Sequence, residues 1–178
     1  MADSGEPAFA VWITGLPASG KSTLARALKI QLATQGVNAA VLESDALRQV
    51  VSDQPRYDEQ QRDAFYRILA YIGALLVEHG VPVIFDATAN RREYRDRARH
   101  GIPRFMEVYV ECPLETCMAR DPKGIYRHAL EGAATNVPGL QAAYEPPDAP
   151  DVLVSGDAEP PESGAARIID KLIEKSYL

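Results

Sequence analysis

Residues 9–23 read FAVWITGLPASGKST: an apolar run, a loop bounded by glycines, and the start of a helical pattern. Gly15, Gly20, Lys21 and Ser22 fill the fixed positions of GxxxxGK[ST], the phosphate-binding loop. The two glycines permit positive φ and a close backbone approach, which turns successive N–H groups inward as an anion nest. A helix opening near Lys21 aims its positive end and its unpaired N–H groups at the same point. Lys21 adds a mobile cation for the β and γ phosphates, and the Ser22 hydroxyl is placed to ligate Mg²⁺. Pro17, Ala18, Ser19 and Thr23 complete the loop. Residues 9–14 read as a buried strand, and Leu24, Ala25, Leu28 and Leu32 continue an apolar helical face, so the loop has the strand and the helix it needs.

Outward from this stretch, apolar runs alternate with helical patterns. The first helix is expected over residues 21–35, stopped by Gly36, and the second strand over 37–42, ending in Glu43, Ser44 and Asp45. A short helical piece at 46–51 precedes a turn at Pro55. Asp58 with Gln61 is a capping-box pattern opening a long helix to His79, with Phe65, Ile68, Leu69, Ile72, Leu75 and Leu76 as its apolar face. Gly80 ends it, and residues 81–85 form a third strand closing on Asp86. Arg91, Arg92, Arg95, Arg97 and Arg99 follow, with Glu93 and Asp96 among them. Such a run reads first as a solvated amphipathic helix with local ion pairs, and second as a source of cations for phosphate.

A fourth strand is expected at 104–110 and a helix at 113–120 with proline in its first turn. Residues 121–150 are rich in proline and glycine and read as one long irregular stretch, the pattern of a lid. A brief strand at 152–154, a polar linker at 155–163 and a closing helix at 165–175 complete the chain. The six acids between Glu145 and Glu162 read as a solvated edge. Alternating strands and helices predict an α/β fold: a five-stranded, mostly parallel sheet between two helical layers, in one domain over residues 1–178.

At 178 residues and 46% hydrophobic, the chain can bury one substantial core. A net charge of −6 argues against nucleic acid or an acidic membrane as partner. Residues 2–7 hold Asp3 and Glu6 without a base, and no run reaches the ~20 apolar residues of a membrane span, so a soluble cytoplasmic protein is expected. Cys112 and Cys117 lack metal-site spacing and read as reduced packing thiols, and His79, His100 and His128 are scattered.

A phosphate loop says that a nucleotide binds and leaves the reaction open. There is no NKxD base-reading motif of GTPases, and the nearest match to a motor's metal strand, Val83–Asp86, is followed by Ala87. A short chain with a proline-rich late segment fits a small-molecule kinase, where closure over both substrates excludes water. Transfer to a hydroxyl needs a carboxylate beside it, a metal, and cations on the moving group. Asp45 and Asp86 are the candidates, both expected at the ends of strands adjacent to the first. Asp45 is assigned as base or hydroxyl-orienting group, with Lys21 on the phosphates. Asp86 is its competitor, a water-mediated Mg²⁺ ligand, or a helix cap. Arg48, one turn beyond Asp45, then faces an acidic group of the acceptor. A nucleotide-binding module without transferase activity is the alternative from another class.

With GLPASGKST at the loop, LESDALR at 42–48, the arginines after the third strand, RDPKGIYRHA at 120–129 and TNVPGLQAAYEPPDAPD at 135–151, the chain resembles the adenylyl-sulfate kinases. These are P-loop kinases that use MgATP to phosphorylate the 3′-hydroxyl of adenosine 5′-phosphosulfate. The resemblance covers residues 9–153. It implies Asp45 as the essential acid, and Arg48, Tyr57, Arg62, Lys123 and Tyr144 as contacts to a small-molecule nucleotide acceptor. It further implies a mobile segment over 121–144, with a homodimer as an assembly left open. Departures from the family lie on the acceptor side: Glu43, Ser44 and Ala46 around Asp45, Phe65 for an asparagine, Ala87–Thr88–Ala89 for Ile-Ser-Pro with one extra residue, and Val137 for an aromatic. The same chemistry on another nucleotide-type acceptor, such as cytidine diphosphoramidate, is the alternative these departures raise.

Overall fold

A computed structural model describes residues 8–52 and 57–178; the turn expected at Pro55 and the acids Asp3 and Glu6 lie outside them. The elements in order are β1 (Ala10–Thr14), α1 (Lys21–Thr34), β2 (Ala40–Glu43), α2 (Ser44–Val51), α3 (Glu59–Glu78), β3 (Val83–Asp86), α4 (Arg92–Gly101), β4 (Phe105–Glu111), α5 (Leu114–Arg120), α6 (Ile125–Leu130), β5 (Val152–Ser155) and α7 (Pro161–Glu174). The strands form one sheet in the order β2-β3-β1-β4-β5, and every neighbouring pair is parallel.

β1 is buried along its whole length, and its alternate residues explain the layers. Val11 and Ile13 point into a core with Leu24, Leu28 and Leu32 of α1 and Ile168, Ile169 and Leu172 of α7. Ala10 and Trp12 point the other way, into a core with Phe65, Tyr66 and Leu69 of α3 and Tyr94 and Ala98 of α4. A parallel sheet covered by helices on both faces follows from this pattern, as expected. Cys112 and Cys117 are buried in a third cluster with Tyr126, Ala129 and Val137, where they serve as packing residues.

Several expectations change. β2 is not adjacent to β1: the α1 crossover skips one position, and β3 fills it after α3. The buried face of α3 is rotated from the one read from its large apolar residues. Ile68 and Leu75 are exposed, while Arg62, Tyr66, Ala70, Gly73 and Val77 join Phe65 and Leu69 inside. Aromatic packing on Trp12 and Phe85 decides the face, not the count of aliphatics. Asp58 does cap α3, its side chain accepting from the Gln61 N–H. The stretch read as wholly irregular, 121–150, contains α6, and the expected linker gives up residues 161–163 to α7, which opens on proline.

The acids after residue 144 are not merely solvated. Glu145 accepts from the Arg92 N–H at 2.8 Å, Asp148 pairs with Arg92 at 3.0 Å, and Asp151 pairs with Lys175 at 2.8 Å. The arginines of α4 find partners far along the chain as well as locally. Arg95 and Arg99 reach Glu107 of β4, Arg97 reaches Asp63 and Arg91 reaches Glu59 of α3, each at 2.6 Å. No helix among the described residues is long and apolar enough to cross a membrane.

Candidate active site

The phosphate loop leaves the central strand and turns into α1 through positive φ at Gly15, Ala18 and Gly20. Gly20, the N-cap of α1, has φ 110°, in the left-handed region that L side chains avoid. At Gly15 a Cβ would stand 2.5 Å from the Val110 carbonyl oxygen and 2.7 Å from Ser19 Oγ, so the loop lies directly against β4. Ser19 is fully buried and its hydroxyl has no hydrogen-bond partner among the described residues. Its side chain therefore packs beneath the loop instead of entering the cavity.

Above the loop is a cavity of about 720 Å³, with Pro17, Ala18, Gly20, Lys21, Ser22 and Thr23 along one wall and Asp45, Asp86, Thr88 and Lys123 at one end. Lys21 is 8% exposed and donates to the Leu16 carbonyl at 2.7 Å. Burial pulls its pKa down, and the nearby charges of Asp86 and then Asp45 push back. A desolvated ammonium facing a cradle of backbone N–H groups lacks an anion of its own size, and a phosphate supplies one.

Asp86 ends β3 beside β1, in register with Ile13, and is 8% exposed. The helix-cap reading of Asp86 falls: α4 starts six residues later, with Arg91 as its N-cap. Asp45 is not at a strand end but in the first turn of α2, two positions past β2. From there it meets Lys123 across the cavity at 2.6 Å, and this hydrogen bond raises the Lys123 pKa. Both side chains are more than half exposed, so the pair opens at little energetic cost.

The donor set suits MgATP. The Ser22 hydroxyl and the Asp86 carboxylate are hard oxygen ligands on the same cavity. Mg²⁺ keeps several waters and takes one or two protein oxygens plus phosphates. Among the described residues no three acidic, His or Cys side chains cluster as a metal site, and Mg²⁺ bound in this way requires none.

The remaining expected contacts, Arg48, Tyr57, Arg62 and Tyr144, do not line this cavity. Arg48 is buried, its guanidinium 3.8 Å from the centre of the Phe65 ring and 5.2 Å from that of Tyr57. Arg62 is buried too and donates to the Asn136 carbonyl and to Asn90 Oδ1 at 3.5 Å. Burial and the Arg48 charge both depress its pKa. Tyr144 turns its hydroxyl to Thr14 Oγ1 at 3.0 Å; because Thr14 gives its own proton to the Thr88 carbonyl, Tyr144 is the donor. None of the α4 arginines lines the cavity, so the second reading of that run, cations for phosphate, is not met. Sequence reasoning missed Arg120 and the loop from Gly156 to Pro161, which line the far side, where Arg120 donates to the Gly156 carbonyl at 2.8 Å. The rule that ligands gather at the C-terminal edge of parallel strands, applied to β5 as it was to the others, would have found them.

A family model described as adenylylsulphate kinase matches residues 7–155. The chain is 39% identical over 175 residues to the adenylyl-sulfate kinase of Myxococcus xanthus, covering 96% of this chain and 94% of that one. It is 36% identical over 168 residues to the enzyme of the same name from Microcystis aeruginosa, covering 94% and 93%. Among solved structures, the Mycobacterium tuberculosis APS kinase CysC in complex with AMPPNP and APS superposes with a TM-score of 0.88 at 32% identity, covering 94% of this chain and 98% of that one.

Proposed function

The chain belongs to the adenylyl-sulfate kinase family, and from that premise we propose how its cavity transfers the γ-phosphoryl group of MgATP to the 3′-hydroxyl of adenosine 5′-phosphosulfate. The observation that carries the reading is convergence: the phosphate loop with its Lys21, Asp45, Asp86 and Lys123 come from four separate stretches and meet on one cavity.

ATP lays its phosphates along Gly15–Thr23, with Lys21 on the β and γ groups. Ser22 and Asp86 would hold Mg²⁺, and the bound ion would supply neutralising charge to the phosphates. Asp45 accepts the proton of the acceptor hydroxyl as its oxygen bonds to the γ phosphorus and the bond to the β-phosphate oxygen breaks, leaving ADP. Lys123, paired with Asp45 at rest, is freed to face the transferring group. Arg48 and Arg62, two buried guanidiniums with no ion pair to a carboxylate among the described residues, hold the anionic end of the acceptor, and Tyr57 stacks on its base. Residues 121–150 close over both substrates, and 1–178 act as one unit. The enzyme works in the cytoplasm. The exposed Ile68, Tyr71 and Leu75 on one face of α3 support a homodimer, which light scattering tests.

A coupled assay for ADP at saturating MgATP tests the acceptor. Adenosine 5′-phosphosulfate is expected to be turned over far above cytidine diphosphoramidate and other nucleotide hydroxyls. No ADP release above background with adenosine 5′-phosphosulfate refutes the reading, and a preference for cytidine diphosphoramidate replaces it.

A further inference from the structure

The loop after β3 and the segment 143–145 are bound into one piece. The Glu145 N–H donates to the Asn90 carbonyl at 2.7 Å, and Asn90 Nδ2 donates to the Ala143 carbonyl at 3.0 Å. Arg95, 1% exposed, donates to the Ala89 carbonyl at 2.5 Å and to the Glu145 carbonyl at 2.7 Å. Tyr144 and Thr14 tie the same piece to the strand that leads into the phosphate loop. Ala89 is held at φ 41°, a left-handed turn rare for a residue with a side chain, which carries Asn90 round toward α3. Asn90 is 6% exposed, and its Oδ1 is turned to the guanidinium of Arg62. Among the described residues Arg62 thus stands between two carbonyl-type oxygens, from Asn90 and from Asn136, and no carboxylate.

We infer that Asn90 is a positioning residue for the acceptor: it fixes where the Arg62 guanidinium stands and couples that position to the 143–145 segment. The inference rests on the assignment of Arg62 to the acceptor made above. A neutral amide is the group this role requires. It orients the guanidinium without cancelling the charge that an anionic acceptor needs, whereas a carboxylate at the same place would compete with the acceptor for Arg62.

The test is steady-state kinetics with adenosine 5′-phosphosulfate and MgATP on Asn90→Ala, the near-isosteric Asn90→Asp, Arg62→Ala and the double variant Asn90→Ala/Arg62→Ala. Loss of a buried hydrogen bond to a charged group predicts an acceptor KM raised about tenfold in Asn90→Ala. The rise is expected to be at least as large in Asn90→Asp. In both variants KM for MgATP stays within about twofold, as no contact of Asn90 reaches the triphosphate wall. If Asn90→Ala does not fold, the Asp variant carries the comparison. In the Arg62→Ala background the Asn90→Ala effect should vanish. An acceptor KM unchanged in the folded Asn90 variants, or an undiminished effect when Arg62 is absent, overturns the inference and leaves the acceptor assignment standing. An unchanged acceptor KM in Arg62→Ala overturns that assignment, and the inference with it.

Discussion

Gly73 lies in the middle of α3, where a glycine ordinarily costs about 1 kcal/mol relative to alanine. Substitution by alanine should therefore stabilise an exposed helix, and here it is expected to do the reverse. A Cβ at Gly73 would stand 2.6 Å from Phe85 Cε1 and closer still to Cζ. The ring is held in place, because it is stacked on Trp12 with 4.4 Å between centroids, and Trp12 and Phe85 are both fully buried. Overpacking of a tight core costs typically 1–3 kcal/mol, and the pinned ring places this site near the upper value. Setting about 3 kcal/mol against the helical gain of about 1 leaves a net loss of about 2 kcal/mol. For a chain of this size that lowers Tm by about 4–8 °C.

The consequence reaches the site, because α3 carries Arg62, Phe65 and Tyr66, whose hydroxyl accepts from the Ala89 N–H at 2.9 Å. Pushing α3 off β3 should raise KM for the acceptor while KM for MgATP holds. Thermal unfolding followed by circular dichroism measures the first effect and steady-state kinetics the second. Adding Phe85→Leu to Gly73→Ala should leave the double variant no less stable than Gly73→Ala alone, since the clashing ring is gone. A Tm for Gly73→Ala equal to or above that of the parent would refute the packing argument.

Asp45→Asn should lower kcat by about 10²–10⁴ and change Tm little, since its partner Lys123 and Asp45 itself are well exposed; a fall of less than tenfold moves the base to Asp86. Lys21→Met removes a desolvated cation, so the ligand-free protein should have a Tm no lower than the parent, while MgATP affinity, read by calorimetry, falls about ten- to a hundredfold. Burial pushes the Cys117 thiol from its ordinary 9.0 up to about 12. The unfolded thiol ionises first, so the parent should lose stability relative to Cys117→Ala as pH rises from 9 to 11 in urea titrations, and a pH-independent difference would contradict the shift.

The donor half of the site is legible because it is contiguous: loop, lysine, hydroxyl and helix start fall within fifteen residues, and each residue type has a local physical reason. The acceptor half is less so. The position of Asp45 depended on strand order, and alternation of strands and helices does not reveal that β3 inserts between β1 and β2. The buried face of α3 could not be read from its own pattern, since Gly73 and Arg62 are inside and Ile68 is outside for reasons that belong to Phe85 and Asn90. The acids at 145, 148 and 151 looked solvated because their partners Arg92 and Lys175 lie 24 to 56 positions away. Composition along a window carries no trace of such pairs. The short helix α6, of 6 residues, is below the length at which periodicity speaks.

The sheet order also divides the labour between the two substrates. The phosphate loop follows the middle strand, which has a neighbour on either side. Asp45 and Arg48, two of the groups proposed for the acceptor, follow β2, an outermost strand with β3 as its one neighbour. Substitutions at Glu43, Ser44 and Ala46, the residues that flank Asp45, therefore fall at the margin of the sheet. A chain built this way can exchange the molecule it phosphorylates while its engine for handling ATP is left untouched.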